Sequence, residues 1–230
     1  MVDVAGNCCR IIEQITAAAA KARRDASEIR LLAAAKSQNP EAIRAAIASG
    51  ITLIGENYVQ EAADKQRVII EPIEWHMIGH LQRNKAKAAV ELFDLIESLD
   101  GFALARELDK EAAKHGRTIR AFVEVNLGGE ESKSGIAKAQ VSGLLEAISG
   151  LSHIRIEGLM TVPPFREDLE LVRPYFRELR ELDEKLGELR LPNVALKELS
   201  MGMTHDYRVA VEDGATIVRI GTALFGPRVS

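Results

Sequence analysis

Short β-rich runs alternate with longer helical patterns along most of this chain. A first helix is predicted over roughly Asn7 to Asp25. Eight runs follow it: Ile29 to Ala35, Thr52 to Gly55, Ile73 to Ile78, Leu92 to Ser98, Ile119 to Asn126, Ile154 to Met160, Ala195 to Ser200 and Thr216 to Ile220. Between them lie amphipathic stretches such as Gly101 to His115, Ser134 to Ser149 and Asp168 to Leu189, each long enough for a crossover helix. The first connection shows the logic. Asn39 caps, Pro40 suits the first helical position, Ile43, Ala46 and Ile47 form one face, and Gly50 ends the helix. Such alternation builds parallel sheets, and eight repeats predict a (β/α)8 TIM barrel with an extra N-terminal helix. An open doubly wound sheet of five or six strands would require two or three of the runs not to be strands.

Strand alternation assigns side chains to the barrel interior. Leu32, Ala34 and Lys36 share a face, as do Phe122, Glu124 and Asn126, then Leu196, Glu198 and Ser200, then Ile217, Arg219 and Gly221. These rows become polar toward their C-terminal ends, where barrels bind ligands. Core ion pairs such as Lys36 with Glu124 would give the same pattern. Lys36 stands out because it ends the apolar run Leu31 to Ala35 just before a helix start. A lysine there either snorkels to solvent or serves as an amine nucleophile that forms a Schiff base. After the last two runs come Ser200-Met201-Gly202-Met203-Thr204 and Gly221-Thr222-Ala223-Leu224-Phe225-Gly226. They suit either two tight turns or a phosphate cradle supplied by Ser200, Gly202, Gly221 and Thr222. A phosphate anchor facing an amine is what pyridoxal 5′-phosphate (PLP) requires. Arg219 then lies near the pyridine nitrogen, where a cation disfavours ring protonation and weakens the electron sink.

Composition narrows the setting. With 230 residues, 47% of them hydrophobic, and no linker or compositional break, residues 1–230 read as one domain. A net charge of −4 from interspersed charges does not favour nucleic acid, and Arg83, Lys85 and Lys87 read as a solvated helix start. Cys8 and Cys9 can build neither a disulfide framework nor a four-cysteine metal site, which fits a reducing compartment, and they have no plausible His partner for a catalytic thiol. Arg10, Glu13 and Gln14 interrupt any signal-like stretch, and no segment reaches the ~18 apolar residues of a membrane span. A cytoplasmic protein with no membrane or nucleic-acid partner is expected. His76 and His80 would share a metal on a helix, but Trp75 to His80 reads as strand then loop, which spaces them ~13 Å apart. Structural or ligand-contacting roles are expected for both, and no metal. Gly128-Gly129 opens no dinucleotide-binding pattern.

Ordered segments along nearly the whole chain carry a resemblance. They are Ala35-Lys36-Ser37, Gly55-Glu56-Asn57-Tyr58-Val59-Gln60-Glu61, Trp75 through Lys85, Val125-Asn126, Glu131-Ser132-Lys133-Ser134-Gly135, Gly158 through Pro164, Leu199 through Met203 and Val218-Arg219-Ile220-Gly221-Thr222. With these the chain closely resembles the YggS/PROSC pyridoxal phosphate homeostasis family. That resemblance implies that Lys36 is the aldimine lysine, that Arg219 faces the pyridine nitrogen, and that Ser200, Gly221 and Thr222 belong to the phosphate site. It places Asn57 and His80 in the pocket wall. Ser37 stands where the family commonly has Thr, Thr204 where it has Ser, and Gly128 where a Ser or bulkier residue is usual.

The family's barrel is similar to the N-terminal domain of alanine racemase, which implies a rival reading as a PLP-dependent racemase. Racemisation needs a base on each face of the α-carbon. The racemase takes its second base, a tyrosine, from a further domain and a partner subunit, for which a chain ending at Ser230 leaves no room. Tyr58, Tyr175 and Tyr207 fall on helix starts or bodies. The expectation is therefore a monomeric, non-catalytic PLP carrier that buffers, protects or delivers the cofactor, with apo PLP-dependent enzymes as recipients.

Overall fold

The computed structural model describes residues 2–130 and 134–227. Its strands are β1 (Arg30–Ala34), β2 (Leu53–Glu56), β3 (Glu74–Met77), β4 (Leu95–Leu99), β5 (Ile119–Asn126), the two-residue β6 (Ile136–Ala137), β7 (Ile154–Met160), β8 (Val194–Met203) and β9 (Ile217–Ile220). All pairings are parallel. β6 touches only β5, and the other eight close into a ring in which β1 meets β9 with Leu32 opposite Arg219. Closure leaves the barrel without an edge. The predicted (β/α)8 barrel with its extra helix is the fold that forms.

The helices are α1 (Val4–Lys21), α2 (Pro40–Ala48), α3 (Val59–Gln66), α4 (Ala86–Leu92), α5 (Phe102–Lys114), α6 (Val141–Ile148), α7 (Arg173–Gly187), α8 (Tyr207–Glu212) and α9 (Thr222–Phe225). α2 begins as its sequence dictates, with the Asn39 side chain accepting from the Ala42 N–H at 2.8 Å and Pro40 in the first turn. α1 starts earlier than expected because Asp3 caps it, and it stops at Lys21, where Arg23 turns to a positive φ. α1 packs on α2, α8 and α9. The helix expected over Ser134 to Ser149 needs correction at its start. Gly135 has a φ of +100°, Ile136 pairs with Val125, and a 3₁₀ turn over Lys138–Gln140 precedes α6, whose buried stripe is Val141, Leu144, Leu145 and Ile148. No helix among the described residues is long and apolar enough to cross a membrane.

The register slips where β7 meets β8, between Ile156 and Gly158. A Cβ at Gly158 would stand 2.2 Å from the Glu198 carbonyl oxygen, so the two backbones approach as only glycine permits. Gly158→Ala should therefore cost about 1–3 kcal/mol. Urea unfolding checks this through a lowered midpoint at unchanged slope.

Candidate cofactor site at the barrel mouth

Reading each strand two residues at a time resolves the interior into levels. β1 runs Arg30, Leu32, Ala34 and then Lys36; β5 runs Arg120, Phe122, Glu124, Asn126; β9 runs Ile217, Arg219, Gly221. Leu32, Leu53, Leu95, Phe122, Met160 and Ile217 form an apolar plug. Below it, at the N-terminal end, Arg30 pairs with Glu198 at 2.9 Å and Arg120 pairs with Glu74. Glu198 was expected at the mouth with Ser200. It lies at the opposite end because the slips on both sides of β8 displace that strand relative to its neighbours.

Above the plug a polar belt crosses the barrel. His76 Nδ1 meets Glu97 Oε1 at 2.7 Å, the Ser200 hydroxyl donates to Glu97 Oε2 at 2.5 Å, and Arg219 donates to Ser200 Oγ at 2.6 Å and to the Thr161 carbonyl at 2.8 Å. All five residues are buried. Burial alone would raise the Glu97 carboxyl, but the His76 hydrogen bond, the His76 and Arg219 charges and the Ser200 hydrogen bond hold it below its ordinary value. Burial lowers the Arg219 pKa, while Glu97, Glu124 and Asp206 oppose that shift; the guanidinium stays charged. Glu124 differs. It is 7% exposed, its Oε2 has no hydrogen-bond partner among the described residues, and burial pushes it up to about 7, partly offset by Arg219 and reinforced by Asp100 and Glu97.

Lys36 follows β1 at the interior parity, one step past the strand end, and is half-buried. The next residue, Ser37, takes a φ of +61°, which is unusual for a side-chain-bearing residue. Its N–H donates to Glu61 Oε2 at 2.9 Å. Gly221 lies beside Ala34, for a Cβ there would come 3.5 Å from the Ala34 carbonyl. The loops after β8 and β9 are tied together, since the Ala223 N–H donates to Thr204 Oγ1 at 3.2 Å. Gly202 has a φ of +93° and no room for a side chain, with Ala210 Cβ 2.6 Å from where its own Cβ would be. Thr222 is exposed at the start of α9.

Lys36 thus follows β1, whose neighbour β9 carries Arg219 and leads into Gly221 and Thr222, while Ser200 and Gly202 lie on β8 at the far side of β9. Asn57 leaves β2 on the interior parity and packs on Gly79, while His80 is exposed farther round, 3.2 Å from Asp100. His76 lies on β3 and His80 in the loop after it, as expected. Glu131, Ser132 and Lys133 lie outside the described residues.

Residues 10–229 match the family model for the alanine racemase N-terminal domain. A pyridoxal phosphate homeostasis protein of Aquifex aeolicus is 46% identical over 220 residues, covering 95% of this chain and 96% of the relative. This chain belongs to the pyridoxal phosphate homeostasis protein family. A solved structure of PipY from Synechococcus elongatus, with PLP bound, is 37% identical, with a TM-score of 0.82 over 92% of this chain and 100% of its own. Alanine racemase of Clostridium difficile shares the fold at 14% identity and a TM-score of 0.75, over 98% of this chain and 58% of the racemase.

For this member of the homeostasis family, sequence reasoning overlooked Glu97, although a carboxylate on the interior parity of a buried run was a visible signal. It also overlooked the Thr161 carbonyl, which no side-chain pattern reports. The Ser200 hydroxyl, expected to face a phosphate, is engaged by Glu97 and Arg219.

Glu124 links stability to pH. Its folded pKa of about 7 lies above the ordinary 4.5, so the folded chain holds a proton that the unfolded chain releases. Stability from this group is complete below pH 4.5 and is lost as pH rises through about 7. Glu124→Gln, neutral throughout, should gain on wild type by about 2–3 kcal/mol between pH 4.5 and 8. Urea unfolding at the two pH values measures the change, and a constant difference would assign the titration to another group.

Proposed function

We propose that the chain binds PLP at this mouth and serves PLP homeostasis by buffering, protecting or handing on the cofactor, without catalytic turnover of its own. The observation that carries the reading is one mouth that joins a lysine at the end of β1, a buried guanidinium and two tied loops after β8 and β9. The donor set suits the group: an amine for an aldehyde, a cation for the ring nitrogen, and loop N–H groups with the Thr222 hydroxyl for a phosphate. The PLP-bound structure of PipY lends support. In this reading Lys36 is the covalent anchor as an aldimine, Arg219 faces the ring nitrogen, Gly202, Gly221 and Thr222 hold the phosphate, and Asn57 and His80 line the wall. Ser200 acts through Arg219. The chain works as a single-domain monomer, with apo PLP-dependent enzymes as recipients.

PLP supplies an electron sink when its ring nitrogen is protonated, and a guanidinium facing that nitrogen opposes protonation. Arg219 is held in place by Ser200 and the Thr161 carbonyl, so it cannot turn aside without losing both bonds. A second base opposite Lys36 finds no support among the tyrosines. The Tyr207 hydroxyl donates to Gln14 at 2.5 Å, Tyr175 lies in α7, and Tyr58 is exposed ahead of α3.

Purified protein given PLP should show aldimine absorbance that borohydride fixes on Lys36, and Lys36→Ala should lose the reducible adduct. A stable adduct on Lys133 instead would overturn the assignment. Thr222→Ala should weaken PLP binding by about 1.5–3 kcal/mol through the phosphate bond it removes, and Ser200→Ala should weaken it by freeing Arg219, both read by PLP titration. Chirally resolved assays with stoichiometric PLP should show no amino-acid turnover and no deuterium uptake at the α-carbon. Turnover that vanishes in Lys36→Ala would establish a racemase-type enzyme.

A further inference from the structure

Behind Lys36, on the outer side of the barrel, lies a charged cluster that the site described above does not use. Lys65 of α3 is only 8% exposed, and Glu56 at the end of β2 is fully buried. Lys65 Nζ meets Glu56 Oε1 at 2.5 Å and Glu61 Oε2 at 3.2 Å, and donates to the Ala35 carbonyl at 2.8 Å. Glu61 Oε2 in turn accepts the Ser37 N–H at 2.9 Å. The backbone is therefore gripped on both sides of Lys36, at residue 35 by Lys65 and at residue 37 by Glu61. Ser37 is also the residue that takes the left-handed φ of +61°.

A lysine and a carboxylate buried together are expensive, and an apolar pair of similar volume is often as stable or more so. Their cost is understandable if the gain is geometric. Strained backbone persists only where its surroundings over-determine it, and here the charged pair does so at the turn that aims a nucleophile. The cluster also acts through its field. Burial would raise the Glu61 carboxyl, but the Ser37 N–H, Lys65 and the charge of Lys36 together hold it below its ordinary value. That coupling runs both ways, so Glu61 stabilises the charged form of Lys36.

We propose that Glu56, Lys65 and Glu61 form a positioning clamp that fixes the Ala35-Lys36-Ser37 turn and sets the reactivity of the Lys36 amine. None of the three touches the cofactor in this scheme; they act through the backbone on either side of Lys36 and through charge. The clamp rests on the reading of Lys36 as the PLP anchor only for its purpose, because its bonds join protein groups to one another.

The test therefore begins without PLP. Competitive labelling with acetic anhydride across pH, followed by peptide mapping, reports the titration midpoint of Lys36, and hydrogen exchange reports the Ser37 N–H. Lys65→Met removes the cation beside Glu61 and should raise the Lys36 midpoint, whereas Glu61→Gln should lower it, each by about half a pH unit or more. Ser37 should exchange at least about tenfold faster in Lys65→Met, and Lys65→Arg should restore part of the protection. A purely structural cluster would not shift the midpoint in opposite directions. If Lys65→Met fails to fold, Glu61→Gln carries the test alone, since the Glu61 side chain is 34% exposed. Unchanged midpoints and unchanged Ser37 exchange would overturn the clamp. With PLP added, borohydride trapping on Lys36 should slow at least about tenfold in Lys65→Met relative to wild type. Absence of trapping on Lys36 in the wild type would refute the PLP reading while leaving the labelling result, and so the clamp, to stand or fall separately.

Discussion

A guanidinium enclosed in a barrel cannot shed its charge, so the neighbours of Arg219 have to accommodate it. Glu97 supplies the opposite charge without direct contact, 3.8 Å away, and Ser200 bridges the two. Breaking such an arrangement by removing one partner leaves the other charge uncompensated, which typically costs 3–5 kcal/mol, about as much as a large core truncation. The belt therefore fixes more than one side chain. β3, β4, β8 and β9 meet through it, and β7 joins through the Thr161 carbonyl that follows its last residue. An apolar plug beneath and the loops above inherit their spacing from this crossing.

Glu124 shows the limit of that compensation. One buried arginine can hold one buried carboxylate ionised at little cost, and Glu97 has the better geometry, with hydrogen bonds from two further groups. The second carboxylate is buried near the same arginine, feels Asp100 and Glu97 as like charges, and takes its proton back near neutrality. The interior thus stays close to charge balance by protonation rather than by a further ion pair. Gly135 packs beside it, since a Cβ there would lie 3.1 Å from Glu124 Cγ.

Much of this was legible in the chain. Period-two alternation placed Glu124, Ser200 and Arg219 indoors, where all three are buried, and it gives Lys36 the same parity one step past the end of β1. Parity fails at bulges. Glu198 was assigned the right face but the wrong end, since slips on both flanks of β8 move it toward Arg30, and nothing in the local sequence reports the register of a neighbouring strand. The helix after β5 was misjudged at its start for a related reason: Gly135 and the pairing of Ile136 with Val125 are tertiary facts that overrule a helical pattern. Lys65 was invisible because a lysine four residues after a glutamate on a helix normally marks a solvated face. Only the packing of α3 on β2 turns that pair inward.

The same fold carries an alanine racemase at 14% identity, so the barrel itself argues for no particular activity. What differs between a catalyst and a carrier of the same cofactor must lie in how the reactive groups are supported. Catalysis needs groups aimed at a transition state from both faces of the reacting carbon, whereas carriage needs one dependable attachment and a way to let go. In this chain the support is concentrated on one side. Arg219 is locked from within by Ser200 and Thr161, and the turn at Lys36 is gripped from outside by Lys65 and Glu61. Both braces act on backbone or side chains at β1 and β9, two strands that pair directly, so the two best-supported polar groups of the mouth are held in one register.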